Sequence, residues 1–490
     1  MEKECSPVAV RGWTTYPALL VIILGACTAI AKAQAVATSP AAGTVVSSSS
    51  AAQSQGTNPY AGSVVQGQAT AGVLALSLDE AIQRGLKQNL GIILSGTSVQ
   101  TAGGQKLQDL QALLPTVGGY LREAVQQTNL QAQGIRGPGI PAVIGPYGYT
   151  DLRGTLSWQL INVAALQNYL ASKHNFEGAK LSAQDARDMV TLTVGNAYLL
   201  VISDAARIRS VQAQVDTSKV SLDQAVANHE AGISPMLDEL RARVDYQSLQ
   251  QSLITSMNQF EKDKIALARV IGLPLDQKFE LTDQSPYSAL DTVDVDAAVK
   301  QALANRKDLQ ALEQQVTGAE KQRSAATAER YPTLGFQGDY GDIGVNFGTS
   351  HGTGNAVGTL SFPIFEEPRL RGDAQLAQSQ LNQRRAQMND MRGQIDADVR
   401  DSVLDIQAAA KQVEVAHSNV QLASQALSDA QQRYAAGVSD NLAVTQAQQS
   451  VAQANDLYVA SLYQHNVAKL SLARALGVAQ SNYKDYVGGK

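Results

Sequence analysis

The chain has 490 residues, of which 17 % are charged and 5 % are aromatic. Its 39 Lys and Arg against 44 Asp and Glu give a formal net charge of −5. This charge excludes a broadly basic nucleic-acid-binding protein, because neutralising phosphates requires clustered cations. A mean hydropathy of −0.14 excludes a multi-span helical membrane protein. The two cysteines, Cys5 and Cys27, are too few for a disulfide framework or a cysteine-based zinc site.

Residues 1–33 are predicted to be an export signal peptide. The apolar run at residues 18–24 is too short to cross a bilayer but has the length of a signal-peptide core. Two processing sites remain open. Ordinary signal peptidase would cleave after Ala33, whereas the Leu-Gly-Ala-Cys run that ends at Cys27 resembles a lipobox, in which Cys27 would be lipidated. Both routes export the chain from the cytoplasm.

Residues 34–75 are predicted to form a flexible linker. They are mainly Ala, Ser, Gly, Gln and Thr. A segment with so few large apolar side chains cannot bury enough surface to offset the entropy of ordering its backbone.

The remainder of the chain is an internal duplication of one sequence pattern. The opening at Leu76 recurs at Val293, and Pro115 recurs at Pro332, both with an offset of 217 residues. Later matches keep the same order with offsets of 204 and 205, so the first copy is longer by about a dozen residues before Gly154. The predicted divisions are the first repeat at 76–272, an inter-repeat equatorial segment at 273–294, the second repeat at 295–478 and a C-terminal tail at 479–490.

Each repeat begins with a predicted helix, at about 78–113 and 295–330, which ends at a proline. A β-hairpin follows at about 116–162 and again at 333–366. The strand at 151–160 alternates apolar and polar side chains, which is typical of a half-solvated sheet or of a membrane barrel wall.

Two very long helices follow the hairpins, from Val163 to about Glu230 and over about 367–436. At 1.5 Å per residue, a helix of this length is a rod of roughly 100 Å. Returning helices are predicted at about 235–271 and 440–476. The apolar residues of the rods are small and dispersed, so the rods must pack against similar rods. A periplasmic coiled-coil structural protein without a pore is the alternative interpretation.

Four membrane-type strands per chain are too few to span a bilayer alone. Single-chain bacterial barrels have at least about eight strands, and open sheet edges are not tolerated in lipid. Several chains must therefore contribute strands to one barrel.

The ordered, duplicated elements over residues 76–478 resemble the TolC-like outer membrane efflux proteins. The resemblance rests on the Leu-x-Leu-x-x-Ala openings, the Pro-Thr strand entries, the Ala-Gly rod ends and the Leu-Ala-Arg-x-x-Gly closures. It implies a mainly α fold with membrane β-structure: a homotrimer with a twelve-stranded β-barrel in the outer membrane and a long α-helical barrel in the periplasm.

The resemblance further implies a passive exit duct of a tripartite efflux or type I secretion system. Its partners would be a periplasmic adaptor protein, an inner-membrane pump and outer-membrane lipid. The five scattered histidines lack a metal-ligand spacing, and no catalytic constellation is present, so we predict no enzyme activity, cofactor or metal. A secreted enzyme would need a convergent polar pocket, which the sequence does not indicate.

Two groups of residues are candidates for channel function. Trp158 and its repeat partner Phe362 are candidates for an aromatic girdle at the membrane boundary, although packing against the helix ends is an equal alternative. The list of entrance and gating candidates, taken from the two turns that end the rods, is Asp238, Arg241, Asp440 and Gln446. We expect closure to rest on Asp238–Arg241 pairing between neighbouring rods, and the alternative is an ordinary surface pair within one helix.

Overall fold

The structure is a computed structural model that describes residues 58–70, 72–283, 288, 293–439 and 441–487. The predicted signal peptide, Cys27 and Asp440 lie outside the described residues, so these assignments stay predictions. The elements of the first repeat are β1 (Leu74–Leu76), α1 (Leu78–Gln88), α2 (Leu90–Gln111), β2 (Thr116–Asn129), β3 (Val143–Ile161), α3 (Val163–Glu230) and α4 (Met236–Ile271).

From its first helix onward, the second repeat has the same order of elements. A short strand, β4, lies between the repeats, and one further helix follows the second repeat. These elements are β4 (Phe279–Leu281), α5 (Val295–Asn305), α6 (Lys307–Ala328), β5 (Thr333–Gly344), β6 (His351–Ser361), α7 (Glu367–Ala435), α8 (Asn441–Ala475) and α9 (Ala479–Val487).

The opening helix of each repeat is broken, so the prediction of one continuous helix is wrong in both repeats. The breaks are at Asn89 and Arg306, which are equivalent under the 217-residue offset and have extended backbone angles. The Asn89 side chain restarts the helix, because its Oδ1 accepts a hydrogen bond from the Gly91 N–H at 2.9 Å. Its Nδ2 donates to the Tyr60 carbonyl oxygen at 2.7 Å. These contacts fix the break in position.

The predicted linker is wrong from Asn58 onward, because the described part of this segment is structured. Pro59–Ala61 form a 3₁₀ turn, and the Tyr60 ring lies directly over Gly91, where a Cβ atom would overlap it. Strand β1 pairs in parallel with β4, which brings the inter-repeat segment against the first repeat. Phe279 of β4 is buried in the core.

The long helices α3 and α7 contain 68 and 69 residues. At 1.5 Å per residue both are about 100 Å long. Each ends at an Ala-Gly pair whose glycine has a positive φ, +71° at Gly232 and +69° at Gly437. This left-handed geometry favours glycine and lets the chain turn into the returning helix.

Among the described residues, the two largest apolar clusters are centred on the long helices α3 and α7. The first contains Val194 and Tyr198 of α3, packed against α1 and α4. The second contains Ile395 and Val399 of α7, packed against α5 and α8. One stretch of α3 is apolar enough to cross a membrane by length and composition, and 44 % of that stretch is buried within the structure.

Strands β2, β3, β5 and β6 form one antiparallel sheet in the order β2-β3-β5-β6. Both hairpins therefore join one sheet, with β3 and β5 at its centre. Within the part of the chain that the structure describes, β2 and β6 each have one neighbour only. These two strands are the edges of the sheet.

Candidate channel wall and entrance

In its half next to the helices, the sheet has one polar and one apolar face, because its register aligns the alternation of neighbouring strands. On the apolar face, Leu156 lies opposite Val117 of β2, and Trp158 lies opposite Phe336 of β5. Val117 is 77 % exposed, so the apolar face is uncovered in the single chain. A sheet with one apolar and one polar face has the alternation of a membrane barrel wall, in which the apolar side faces lipid.

Ion pairs cross between the central strands on the polar face. The Arg153 guanidinium donates to Asp151 at 2.6 Å and to Asp339 of β5 at 2.8 Å. Arg122 of β2 lies opposite Asp151 in the register. The polar face therefore carries both signs of charge, and Arg153 is held close to two carboxylates.

The predicted aromatic pair lies where the sheet joins the helices. The Trp158 Nε1 donates to the carbonyl oxygen of Leu113, just beyond the end of α2, at 3.1 Å, and the residue is 38 % exposed. Trp158 thus contacts the helix end and also remains partly open. Phe362 follows β6 and is exposed, and it is followed by Ile364 and Phe365, which are both 88 % exposed.

The turns that end the two rods lie side by side. Asn441, at the start of α8, is buried, and its Nδ2 donates to the Asp238 carbonyl oxygen at 3.3 Å. Asn228 near the end of α3 donates to the Tyr434 hydroxyl of α7 at 3.5 Å. Both rods of one chain therefore end together at the tip opposite the sheet.

The entrance candidates are only partly brought together. Asp238 is buried, and its Oδ1 lies 3.7 Å from the Arg241 Nη1 in the same turn of α4. The next pair along the helix, Glu239 and Arg243, is closer at 2.7 Å. Gln446 is exposed on α8. Within this chain, the Asp238–Arg241 contact lies inside one helix.

Sequence reasoning missed a charged cluster at the helix break of the second repeat. Arg306 is 6 % exposed and donates to Asp308 at 2.6 Å and to Asp398 of α7 at 2.7 Å. Arg474 of α8 pairs with Asp185 of α3 at 2.7 Å. The 217-residue offset aligns Arg306 with Asn89, but this alignment by itself indicates neither the break nor the ion pairs.

A buried lysine holds the inter-repeat segment. The Lys469 Nζ donates to the Ser288 carbonyl oxygen at 2.5 Å and to its hydroxyl at 2.8 Å. Burial lowers the pKa of Lys469 to about 8. Burial and the charge of Lys469 lower the pKa of His465, one helical turn away, to about 4. This cationic site ties residue 288 to α8.

Asp204 of α3 and Asp263 of α4 form a carboxylate pair between the long helix and the returning helix of the first repeat. Burial, followed by the hydrogen bond and charge of Asp263, raises the pKa of Asp204 above its usual range. Arg207 opposes this shift but also lies 3.5 Å from Asp456 of α8. The nearby Tyr463 of α8 has a raised pKa as well, because of burial and these two carboxylates.

The substitution Asp204→Asn is therefore expected to stabilise the rods above neutral pH. A raised carboxyl pKa destabilises the folded state once the pH exceeds the unfolded value of about 4, and the cost is complete above the folded pKa. We expect the thermal unfolding midpoint of the variant to exceed that of the wild type by roughly 1–2 °C at about pH 8, and by nothing near pH 4. The exposed Asp223→Asn is the control on the same helix, and equal effects of the two variants would contradict the assignment.

A sheet with one polar and one apolar face, joined to pairs of long helices, defines the class of protein as an outer-membrane channel. The model of the outer membrane efflux protein family matches residues 112–273 and 298–478, one block in each repeat. The chain belongs to the outer membrane efflux protein family. This result confirms the predicted family and the predicted location in the outer membrane.

Known relatives and solved structures agree with this assignment. The pyoverdine export outer membrane protein OpmQ of Pseudomonas putida is 24 % identical over 313 residues, and the match covers 62 % of this chain and 65 % of OpmQ, just under two thirds. The probable efflux pump outer membrane protein TtgC of Pseudomonas putida is 23 % identical over 419 residues, which are 82 % of this chain and 83 % of TtgC.

Two solved outer-membrane proteins share the fold. VceC from Vibrio cholerae has a TM-score of 0.72 at 20 % identity, covering 82 % of this chain and 96 % of VceC. The outer-membrane channel OprN has a TM-score of 0.73 at 17 % identity, covering 82 % of this chain and 90 % of OprN. The predicted fold class is therefore confirmed.

Proposed function

We propose that three copies of the chain close one twelve-stranded barrel in the outer membrane and form the exit duct of an efflux or secretion system. The sheet supports this proposal, because its apolar face is exposed and its edge strands β2 and β6 have no second partner among the described residues. Unpaired backbone groups are too costly in lipid. Pairing β6 of one copy with β2 of the next would satisfy both edges.

The duct continues through the helices. Rods of about 100 Å lead away from the sheet and would carry the duct into the periplasm. The duct is passive: an inner-membrane pump supplies the energy, and a periplasmic adaptor joins the pump to the rod tips. The printed names of OpmQ and TtgC, an export protein and an efflux pump protein, support a role in export.

Ion conduction in a planar lipid bilayer tests this function. We expect the purified protein to insert and to produce uniform current steps, because the polar sheet face would line a water-filled lumen. A protein that stays in the soluble periplasmic fraction and never conducts would instead support the alternative, a structural coiled-coil protein without a pore.

We further propose that Asp238 constrains the entrance. In a trimer each tip residue occurs three times around the axis, so a buried carboxylate becomes part of a charged ring. Asp238 is close enough to Arg241 to be partly neutralised in its own helix, and the Asn441 side chain binds its backbone. In the second turn, Ala443 and Gln446 stand at the positions equivalent to Asp238 and Arg241 and carry no charge.

The double variant Asp238→Ala, Arg241→Ala is expected to raise single-channel conductance roughly twofold, since it removes charged side chains at the narrow end of the duct. The matched control is Glu177→Ala, Lys180→Ala, which removes an exposed pair of the same spacing from the body of α3. An unchanged conductance in both double variants would leave Asp238–Arg241 as an ordinary pair within one helix, worth about 0.2–0.5 kcal/mol.

A further inference from the structure

The two hairpins of the sheet reach different heights. Strand β5 ends at Gly344, which pairs with Thr150 of β3, and β6 begins at His351, which is at the height of Asp151. Beyond Thr150, the strand pairing within the described residues is between β2 and β3 alone. The first hairpin therefore continues as a two-stranded ribbon over residues 123–150.

A neighbouring copy in the proposed trimer would not cover this ribbon. Strand β6 of that copy would lie next to β2 of this chain. It would begin at the height of Arg122, which is where β6 begins within this chain. Residues 143–149, with β2 paired beside them, thus pass beyond β5 and β6 by about 24 Å, at roughly 3.4 Å per residue. The extra dozen residues of the first repeat account for this projection.

The ribbon continues the two faces of the sheet. Tyr149 lies opposite Ala124, and Tyr147 lies opposite Gln126, which puts both tyrosines on the same face as Asp151 and Arg122. Their ring centroids are 6.5 Å apart, as expected for neighbours on one face. Val125 lies on the opposite face and is 78 % exposed.

We propose that the ribbon stands above the rim of the barrel on the extracellular side, where Tyr147 and Tyr149 of three copies narrow the exit of the duct. The direction follows from the connections, because the opposite ends of β2 and β3 lead into the periplasmic helices. The polar face is the lumen face, so its tyrosines point toward the axis. This inference rests on the proposed trimeric duct and adds an outer constriction to it.

Cysteine labelling tests the ribbon, since the chain has no cysteine beyond Cys27. Tyr147→Cys and Val125→Cys are compared in single channels, with biotin maleimide added to the extracellular side. We expect both positions to be labelled, and the current of Tyr147→Cys alone to fall roughly twofold after labelling. The unlabelled channels must conduct normally. If they do not conduct, the proposed duct is wrong; if they conduct but labelling has no effect, only the proposed constriction by the ribbon is wrong.

A second variant guards against local distortion by the cysteine. Tyr147→Ala combined with Tyr149→Ala is expected to raise conductance above the wild type, whereas Val125→Ala leaves it unchanged. Two results would overturn the proposal: no labelling of either cysteine from the extracellular side, or an equal loss of current at Tyr147→Cys and Val125→Cys.

Discussion

The substitution Leu156→Arg is expected to prevent most of the protein from reaching the outer membrane. Leu156 lies midway along the paired part of β3, between Thr150 at the upper end and Ile161 at the helix junction. Its side chain is on the apolar face, opposite Val117. An arginine facing lipid at the bilayer midplane costs about 2–4 kcal/mol, and a trimer would carry three. The measurement is the amount of protein in the outer-membrane fraction.

Thr155→Arg is the matched control, because Thr155 lies at the same height on the opposite face. It pairs with Gly118 and lies opposite Asp339, so the new guanidinium would enter the polar lumen beside a carboxylate. We expect near-normal insertion of this variant. If the amounts of both variants in the outer-membrane fraction fall equally, the assignment of the lipid and lumen faces is wrong.

The substitution Arg306→Ala is expected to destabilise the protein by about 1.5–3 kcal/mol, since it removes the buried cation that pairs with Asp308 and with the partly exposed Asp398, while Arg474 stays 3.7 Å from Asp308. The change is measured as a lower thermal unfolding midpoint of the detergent-solubilised protein. The folded state loses stability at the break between α5 and α6, which is packed against α7. We therefore expect the helices to loosen there before the sheet melts.

Arg369→Ala is the control for Arg306→Ala. Arg369 makes three ion pairs, with Glu329, Glu366 and Asp373, but its side chain is 54 % exposed. Exposed pairs contribute about 0–1 kcal/mol, so a small shift is expected despite the larger number of contacts. A larger loss for Arg369→Ala than for Arg306→Ala would contradict the assignment of the buried cluster.

The sequence predicts the long rods and the sheet well because their signals are periodic and repeated. The period-two alternation of β3 specifies the two faces on its own, and the duplicated order places the second hairpin. The breaks at Asn89 and Arg306 carry no such signal, because neither residue type is a strong helix breaker. They are set by tertiary contacts, such as the bond from the Asn89 Nδ2 to the Val270 carbonyl oxygen at 3.4 Å.

The start of the folded chain is predicted too late from the sequence, because the apolar residues in this segment are isolated. Tyr60 and Leu74 stand in a segment of small polar residues, where composition indicates a linker, yet both pack against the first core cluster. At the tip, the sequence identified Asp238 and Arg241 but not that their contact lies within one turn of α4. Spacing of three residues permits both arrangements, and only coordinates distinguish them within a chain.

The trimeric barrel is tested by the mass of the intact particle, measured by native mass spectrometry in mild detergent. We predict a complex of three copies that keeps its β-structure, because only neighbouring copies can pair the edges of β2 and β6. A stable single chain with the same β content would contradict the barrel, and with it the proposed duct.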